Sequence, residues 1–111
     1  MTTPLRIGLL LFPGCMPAGL LAFSDMLHAT NRRTGRLLFE TYFVAEQSGS
    51  IACANGLVLT ANHRLTELAL EAIMIPGFWA ESPQQVGTTL HESTSLVAVL
   101  AKLNKRCRIW S

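Results

Sequence analysis

A chain of 111 residues forms one domain at most, large enough for a real core but short for a complete doubly wound α/β fold. Half of the residues are hydrophobic, 14% are charged and the mean hydropathy is +0.34, an excess of core-type side chains that leaves surface to be covered by something. The net charge of +2 is small, and its basic groups, Arg32, Arg33 and Arg36 and then Lys102, Lys105, Arg106 and Arg108, fall where helices should end, which argues for cations at helix C-termini over a nucleic-acid surface.

Leu5 to Phe12 is a continuous apolar run of the kind found in strands buried on both faces, and Pro13-Gly14 ends it. In an open α/β sheet the loop after such a strand is where ligands and chemistry gather. The run makes a poor secretory signal, with Pro13 beside the would-be cleavage point, almost no basic residues ahead of it and an apolar core of only about seven residues. It makes a poorer membrane span, because the uncharged stretch from Ile7 to Ser24 is broken by Pro13, Gly14, Pro17 and Gly19 and falls short of the ~20 apolar residues needed.

From Pro17 the spacing predicts a helix with Leu20, Phe23 and Leu27 on its apolar face, widened by Leu21 and Met26, and with Ser24, Asp25, His28 and Arg32 on the other side. Arg32 and Arg33 suit its last turn and Gly35 a left-handed stop. Leu37 to Ala45 alternates and is dense in β-favouring residues, a second strand nearer an edge. Asn55-Gly56, set between the short apolar runs that begin at Ile51 and Leu57, is a strong hairpin signal because both turn residues must take positive φ. Arg64 to Leu70 is long enough for one or two helical turns, capped by Asn62. Ala72 to Ile75 is another short buried strand, and it stops at Pro76-Gly77 much as the first stops at Pro13-Gly14.

Ser82, Pro83 and Gln85 read as an N-cap, a first-turn proline and a capping-box residue. The helix they start has a break near His91 to Thr94, after which Leu96, Val99, Leu100 and Leu103 restore the apolar stripe and Lys102, Lys105 and Arg106 close it. Cys107 to Trp110 begins a fresh apolar segment. This order is the βαβ rhythm of a parallel sheet with helices on both faces. Right-handed crossovers set the first and third principal strands side by side, so the loops after Phe12 and Ile75 meet at one carboxyl edge, the expected site.

Three cysteines, Cys15, Cys53 and Cys107, show no metal-ligand or redox spacing and imply a reduced, cytoplasmic protein. Cys15 lies in the loop after the first strand, where it would be exposed at the site; the lack of a neighbouring acid or base argues against reactivity. Cys53 and Cys107 read as inert, the latter as a small core residue. His28, His63 and His91 are far apart and read as surface. Phe78 and Trp79, directly after Pro76-Gly77, either pack their own loop or form a wall for a small ligand.

Taken in order, Arg6 to Gly14 (RIGLLLFPG), the helix Leu20 to Asn31, the Asn55-Gly56 hairpin followed by Leu57 to Leu68, and Glu71 to Gly77 (EAIMIPG) resemble the DJ-1/PfpI superfamily. In particular they resemble the amino-terminal domain of AraC-type transcriptional regulators that carry a DJ-1/PfpI-like sensor. The resemblance spans nearly the whole chain and rests on order and spacing rather than on any single motif. It implies a flavodoxin-like α/β three-layer sandwich, its mostly parallel sheet joined by one β-hairpin and incomplete at the C-terminal side, with residues 1–111 a single partial domain. Superfamily members that do chemistry place an Asp or Glu in the opening turn of the first helix, where it hydrogen-bonds the reactive cysteine; Gly19 stands at that position here. Their cysteine follows the strand corresponding to Cys107 to Trp110, and this sequence ends at or just before that turn. The resemblance also implies that the Gly77 N–H forms half of an anion-stabilising corner.

The leading expectation is a non-catalytic ligand-sensing or dimerisation domain of an AraC-family regulator, without its DNA-binding part. The alternatives are a fragment of a cysteine-dependent enzyme of hydratase, amidase or glyoxalase type, or a truncated product without independent function. The candidate ligand-binding residues are Gly14, Cys15, Gly19, Gly77, Phe78 and Trp79, with no catalytic residue, metal or cofactor expected. The expected partners are a small-molecule effector and a second copy of the chain, since the last strand would lie at an open sheet edge. Neither nucleic acid nor membrane is an expected partner of this chain.

Overall fold

The apolar run near the N-terminus becomes β1 (Leu5–Leu10), the middle strand of a five-stranded sheet in the computed structural model, which describes residues 3–78, 82–103 and 107–110, positions 89 and 90 as backbone only. Parallel neighbours flank it on both sides, β3 (Phe39–Ala45) and β7 (Ala72–Met74), in registers that set Leu9 between Phe43 and Met74. Two short strands extend the sheet: β6 (His63–Arg64) pairs with the end of β3, and β9 (Arg108–Trp110) pairs with β7. All five run parallel, and the first and third principal strands are adjacent, as right-handed crossovers require.

Burial on both faces explains why β1 is unbroken in hydrophobicity. Leu9, Leu10 and Leu11 have no exposed surface. Ile7, Leu9 and Leu11 face a cluster with Leu20 and Leu27, while Leu10 faces the opposite cluster with Val44, Leu65, Ile73 and Leu96. Each such side chain removed from water contributes roughly 1.5–3 kcal/mol before the entropy of ordering is deducted. Gly8, between them, is a close-approach position: a Cβ there would lie 2.7 Å from Leu70 Cδ1 and 3.3 Å from Val44 Cγ2.

The first cluster is covered by α1 (Ala18–Thr34), which starts at Pro17 and stops where Gly35 takes φ 67° and gives its N–H to the Arg32 carbonyl. Its inward stripe is Leu20, Phe23, Ser24 and Leu27, spaced i, i+3, i+4, i+7. The expected stripe is corrected in two places: Ser24 is buried, whereas Met26 is 65% exposed and Leu21 lies on the surface. Asn31 fastens the end of α1 to the start of β3, its Oδ1 accepting from the Leu38 and Phe39 N–H groups and its Nδ2 donating to the Phe39 carbonyl.

Against the same face lies a hairpin of β4 (Gly49–Ala52) and β5 (Val58–Ala61), turned by Asn55 at φ 62° and Gly56 at φ 76°. Both turn residues therefore occupy the positive-φ region that the Asn-Gly pair predicts. The helix expected over Arg64 to Leu70 does not form. Leu65 instead spends its N–H on the Ala45 carbonyl, prolonging the sheet contact, and its side chain is buried, so the segment leaves as a turn with Glu67 N–H on the Arg64 carbonyl.

Two helices follow, α2 (Pro83–Glu92), whose described side chains are exposed, and α3 (Thr94–Leu103), which covers the second cluster; they are separated at Ser93, where the sequence places a break. Ser82 caps the first, accepting the Gln85 N–H on its Oγ at 3.2 Å. Leu96 is buried, and Val99, Leu100, Leu103 and Cys107 pack around it, so Cys107 is a packing residue at the start of β9 with its thiol pKa raised by burial. Lys105 and Arg106 lie outside the described residues. The result is an α/β three-layer sandwich of flavodoxin-like strand order, and no helix among the described residues is long and apolar enough to cross a membrane.

Candidate functional site

Beyond β1 the chain continues pairing through Leu11 N–H to the Val44 carbonyl, then reverses over Phe12 to Cys15. Pro13 and Gly14, the latter at φ 81°, with Cys15 N–H on the Phe12 carbonyl at 3.0 Å, make a type II turn. The second Pro-Gly behaves differently. After Pro76 the chain stays extended as β8 (Gly77–Phe78), which pairs antiparallel with β2 (Cys15–Met16), so that Cys15 faces Phe78 and Met16 faces Gly77. The expected parallel between the two strand ends is thereby corrected: one turns and the other runs on to meet it. The two site loops do meet, and this two-residue ribbon closes the crevice between β1 and β7 where the strand order reverses.

That ribbon fixes the candidate residues. Gly14 is on the surface, but its N–H is already given to the Ala52 carbonyl at 2.9 Å. Cys15 is not exposed at the site: it has no accessible surface, lies 3.7 Å from Cys53 Sγ, and its thiol is pushed up to about 11, chiefly by burial. Gly19 is on the surface in the opening turn of α1, with nothing within 4 Å of where its Cβ would be. Gly77 is exposed and Phe78 half-buried, edge-on to Phe12 at 6.4 Å between ring centroids. Trp79 lies outside the described residues.

The open space at this sheet edge lies to either side of Phe12. On one side a cleft of about 410 Å³ runs between the ends of β1 and β3, floored by Leu11, Phe12, Ile51 and Leu96 and rimmed by Glu46, Gln47, Glu92 and Ser93. On the other a smaller apolar cavity of about 200 Å³ sits under α3, lined by Leu10, Phe12, Ile75, Phe78 and Leu100 among others. Phe12, Ser93 and Leu96 line both. Ser93 also opens α3, its carbonyl taking the Val97 N–H.

The rim residues were missed in the sequence. Glu46 and Gln47 follow the second strand directly, so the rule that all parallel strands end at one edge would have found them. Glu92 and Ser93 sit at the helix break, whose position was legible but whose placement over the cleft was not. Among the described residues, neither Glu46 nor Glu92 has an ion-pair or hydrogen-bond partner, and no three His, Cys, Asp or Glu side chains are grouped to hold a metal. The histidines are dispersed: His28 bonds Thr41 Oγ1, and His63 stacks edge-on with Tyr42 and meets Glu67 at 3.5 Å.

An all-parallel sheet with this strand order, a hairpin on one face and a ribbon joining the two site loops defines a flavodoxin-like fold of the DJ-1/PfpI kind. Solved structures bear this out. The chain is similar to a DJ-1 superfamily protein from Salmonella typhimurium, with TM-score 0.64 and 19% identity over 94% of this chain and 52% of that one. It is similar to a transcriptional regulator protein from Vibrio parahaemolyticus, with TM-score 0.63 and 14% identity over 96% of this chain and 55% of that one. An AraC family transcriptional regulator from Pseudomonas putida aligns with TM-score 0.57 and 18% identity over 83% of this chain and 59% of that one. At these identities the likeness is one of fold, and the chain spans between half and three fifths of the length of each. No protein-family model matches the sequence, and no curated protein matches it.

Proposed function

We propose that this chain is a non-catalytic sensor domain of an AraC-type transcriptional regulator, holding a small-molecule effector in the cleft at the carboxyl edge of its sheet. The observation that carries the reading is the cleft of about 410 Å³ between the ends of β1 and β3, lined by the apolar Leu11, Phe12, Ile51 and Leu96 together with the polar Glu46, Gln47, Glu92 and Ser93. Pockets that bind small molecules have this division, apolar walls for affinity and a few polar groups for orientation. The non-catalytic part of the reading is supported by Cys15, buried and held as a neutral thiol, and by Gly19, which supplies no carboxylate where the resemblance looks for one.

The rim also suggests the effector's charge. Glu46 and Glu92 bring two full negative charges, against which the N-terminus of α3 offers only about half a positive one. A ligand with an apolar body and a cationic end fits that balance. Calorimetric titration with butylammonium, butanol and butyrate tests this: affinity should fall in that order, and Ser93→Trp, which fills the cleft, should abolish the signal. Equal or tighter binding of butyrate, or binding unchanged by Ser93→Trp, would sink the reading.

We further infer self-association through β9. Arg108 N–H donates to the Glu71 carbonyl and the Trp110 carbonyl accepts from Ile75 N–H, on either side of β7, which leaves the Ile109 backbone groups on the outer edge, with Trp110 37% exposed beside them. Such an edge is a ready template for a second strand.

A further inference from the structure

Cys15 and Cys53 are 38 residues apart in sequence, yet their sulfurs lie 3.7 Å from each other in the core, with Cys15 S–H donating to Cys53 and Cys53 S–H donating to the Ile51 carbonyl. The backbones carrying them are already joined, because Gly14 N–H bonds the Ala52 carbonyl at 2.9 Å and each of these residues immediately precedes one of the cysteines. We propose that Cys15 and Cys53 form a modification site, a dithiol that hydroperoxides convert to an intramolecular disulfide, fastening the β4–β5 hairpin to the turn after β1.

The geometry is close to what the bond needs. Bringing the sulfurs from 3.7 Å to about 2.05 Å calls for a shift of less than ~2 Å, within reach of side-chain rotation on two backbones that are already held together. The third cysteine cannot compete: Cys107 packs in the cluster on the opposite face of the sheet. Cys53 is the point of entry, since it keeps 7% exposure at the hairpin whereas Cys15 has none. The burial that holds the Cys15 thiol protonated makes it the later participant.

In the first step Cys53 gives up its proton and its sulfur attacks one peroxide oxygen. The O–O bond breaks and the departing oxygen leaves as an alcohol, or as water from hydrogen peroxide, with Cys53 left as a sulfenic acid. In the second step the Cys15 sulfur attacks Cys53, the S–O bond breaks, and the hydroxide leaves with the Cys15 proton as water. Two thiols are oxidised by two electrons and one hydroperoxide is reduced by two. Ile51, at the Cys53 end of the hairpin, lines the larger cleft, so the bond fixes part of its wall.

The test takes the reduced 111-residue chain, exposes it to hydrogen peroxide, unfolds it, caps remaining thiols with iodoacetamide and digests it with trypsin without reduction. Arg32, Arg33 and Arg36 separate the two cysteines onto different peptides. The expected product is the Cys15 peptide joined to the Cys53 peptide with the loss of two hydrogens, while Cys107 is capped. The same treatment should raise the melting temperature of the parent chain and of Cys107→Ala, and leave that of Cys53→Ala unchanged. Sulfinic or sulfonic acid at Cys53 without the cross-link, a cross-link to Cys107, or both core cysteines recovered capped would overturn the proposal.

Discussion

Asn31 carries more of the fold than its polar character suggests. Its side chain makes three hydrogen bonds to the backbone at the start of β3: Oδ1 accepts from Leu38 and Phe39 N–H at 2.9 and 3.1 Å, and Nδ2 donates to the Phe39 carbonyl at 2.9 Å. At a net ~1 kcal/mol each these bonds set a ceiling of about 3 kcal/mol. The site is half-buried, so water recovers part of this in Asn31→Ala, and alanine's better helix propensity returns roughly 0.5 kcal/mol. A net loss of about 2 kcal/mol should lower the urea midpoint by roughly 1 M at the slopes usual for small domains. Asn31→Asp keeps the acceptor for both N–H groups but sets an oxygen against the Phe39 carbonyl where the donor stood, near the negative end of α1, so it too should lower the midpoint. Urea titration followed by circular dichroism measures both. A midpoint that falls by less than about 0.3 M in Asn31→Ala, or an aspartate variant as stable as the parent, would refute Asn31 as the tie between α1 and β3.

Three further outcomes follow from particular contacts. Gly8→Val should destabilise by about 1–3 kcal/mol through overpacking against Leu70, Val44 and Ile73, with Gly8→Ala milder because the half-buried end of Leu70 can move; equal urea midpoints for parent and valine variant would count against the close approach. The raised Cys15 pKa fixes the sign of a pH dependence: its folded value of about 11 lies above the ordinary value of 9.0, so the stabilisation is complete below pH 9 and is lost as pH rises toward 11. Melting temperatures should therefore decline over that window with a shallower slope in Cys15→Ala, and identical slopes would contradict the burial of this thiol. Ile109→Pro removes an N–H that faces the open edge while sparing the bonds of Arg108 and Trp110 to Glu71 and Ile75, so sedimentation velocity should show a shift toward monomer without loss of circular dichroism. An unchanged distribution would place any association elsewhere.

The strand order was legible because it follows from handedness: once β1 and β7 read as buried strands with helical crossovers between the principal strands, their adjacency was forced. The Asn55-Gly56 turn was legible because few residue pairs tolerate two successive positive φ values. The burial of Cys15 was not legible, since it depends on the β2–β8 ribbon, and two-residue strands leave no periodic signal. Ser24 reads as an outward polar residue by its hydroxyl, yet it lies four residues from Leu20 and three from Leu27, where the helix period alone turns it inward. The 64–70 segment has helical composition, but the pull of Leu65 into the core and of its N–H onto Ala45 overrode it. The meeting of the loops after Phe12 and Ile75 was legible from the strand order, yet they close on each other, and the cleft opens beside them, where residues from β3 and the helix break join its lining.

Entry of a small molecule between Phe12, Glu46 and the α2–α3 break is tested most directly by amide chemical shifts of the ¹⁵N-labelled chain titrated with butylammonium chloride. Saturable shifts concentrated at Phe12, Glu46, Gln47, Ile51, Ser93 and Leu96 are expected, reduced in a Glu46→Gln, Glu92→Gln double variant. Shifts spread evenly over the surface, or gathered at residues remote from this sheet edge, would contradict a ligand cleft here.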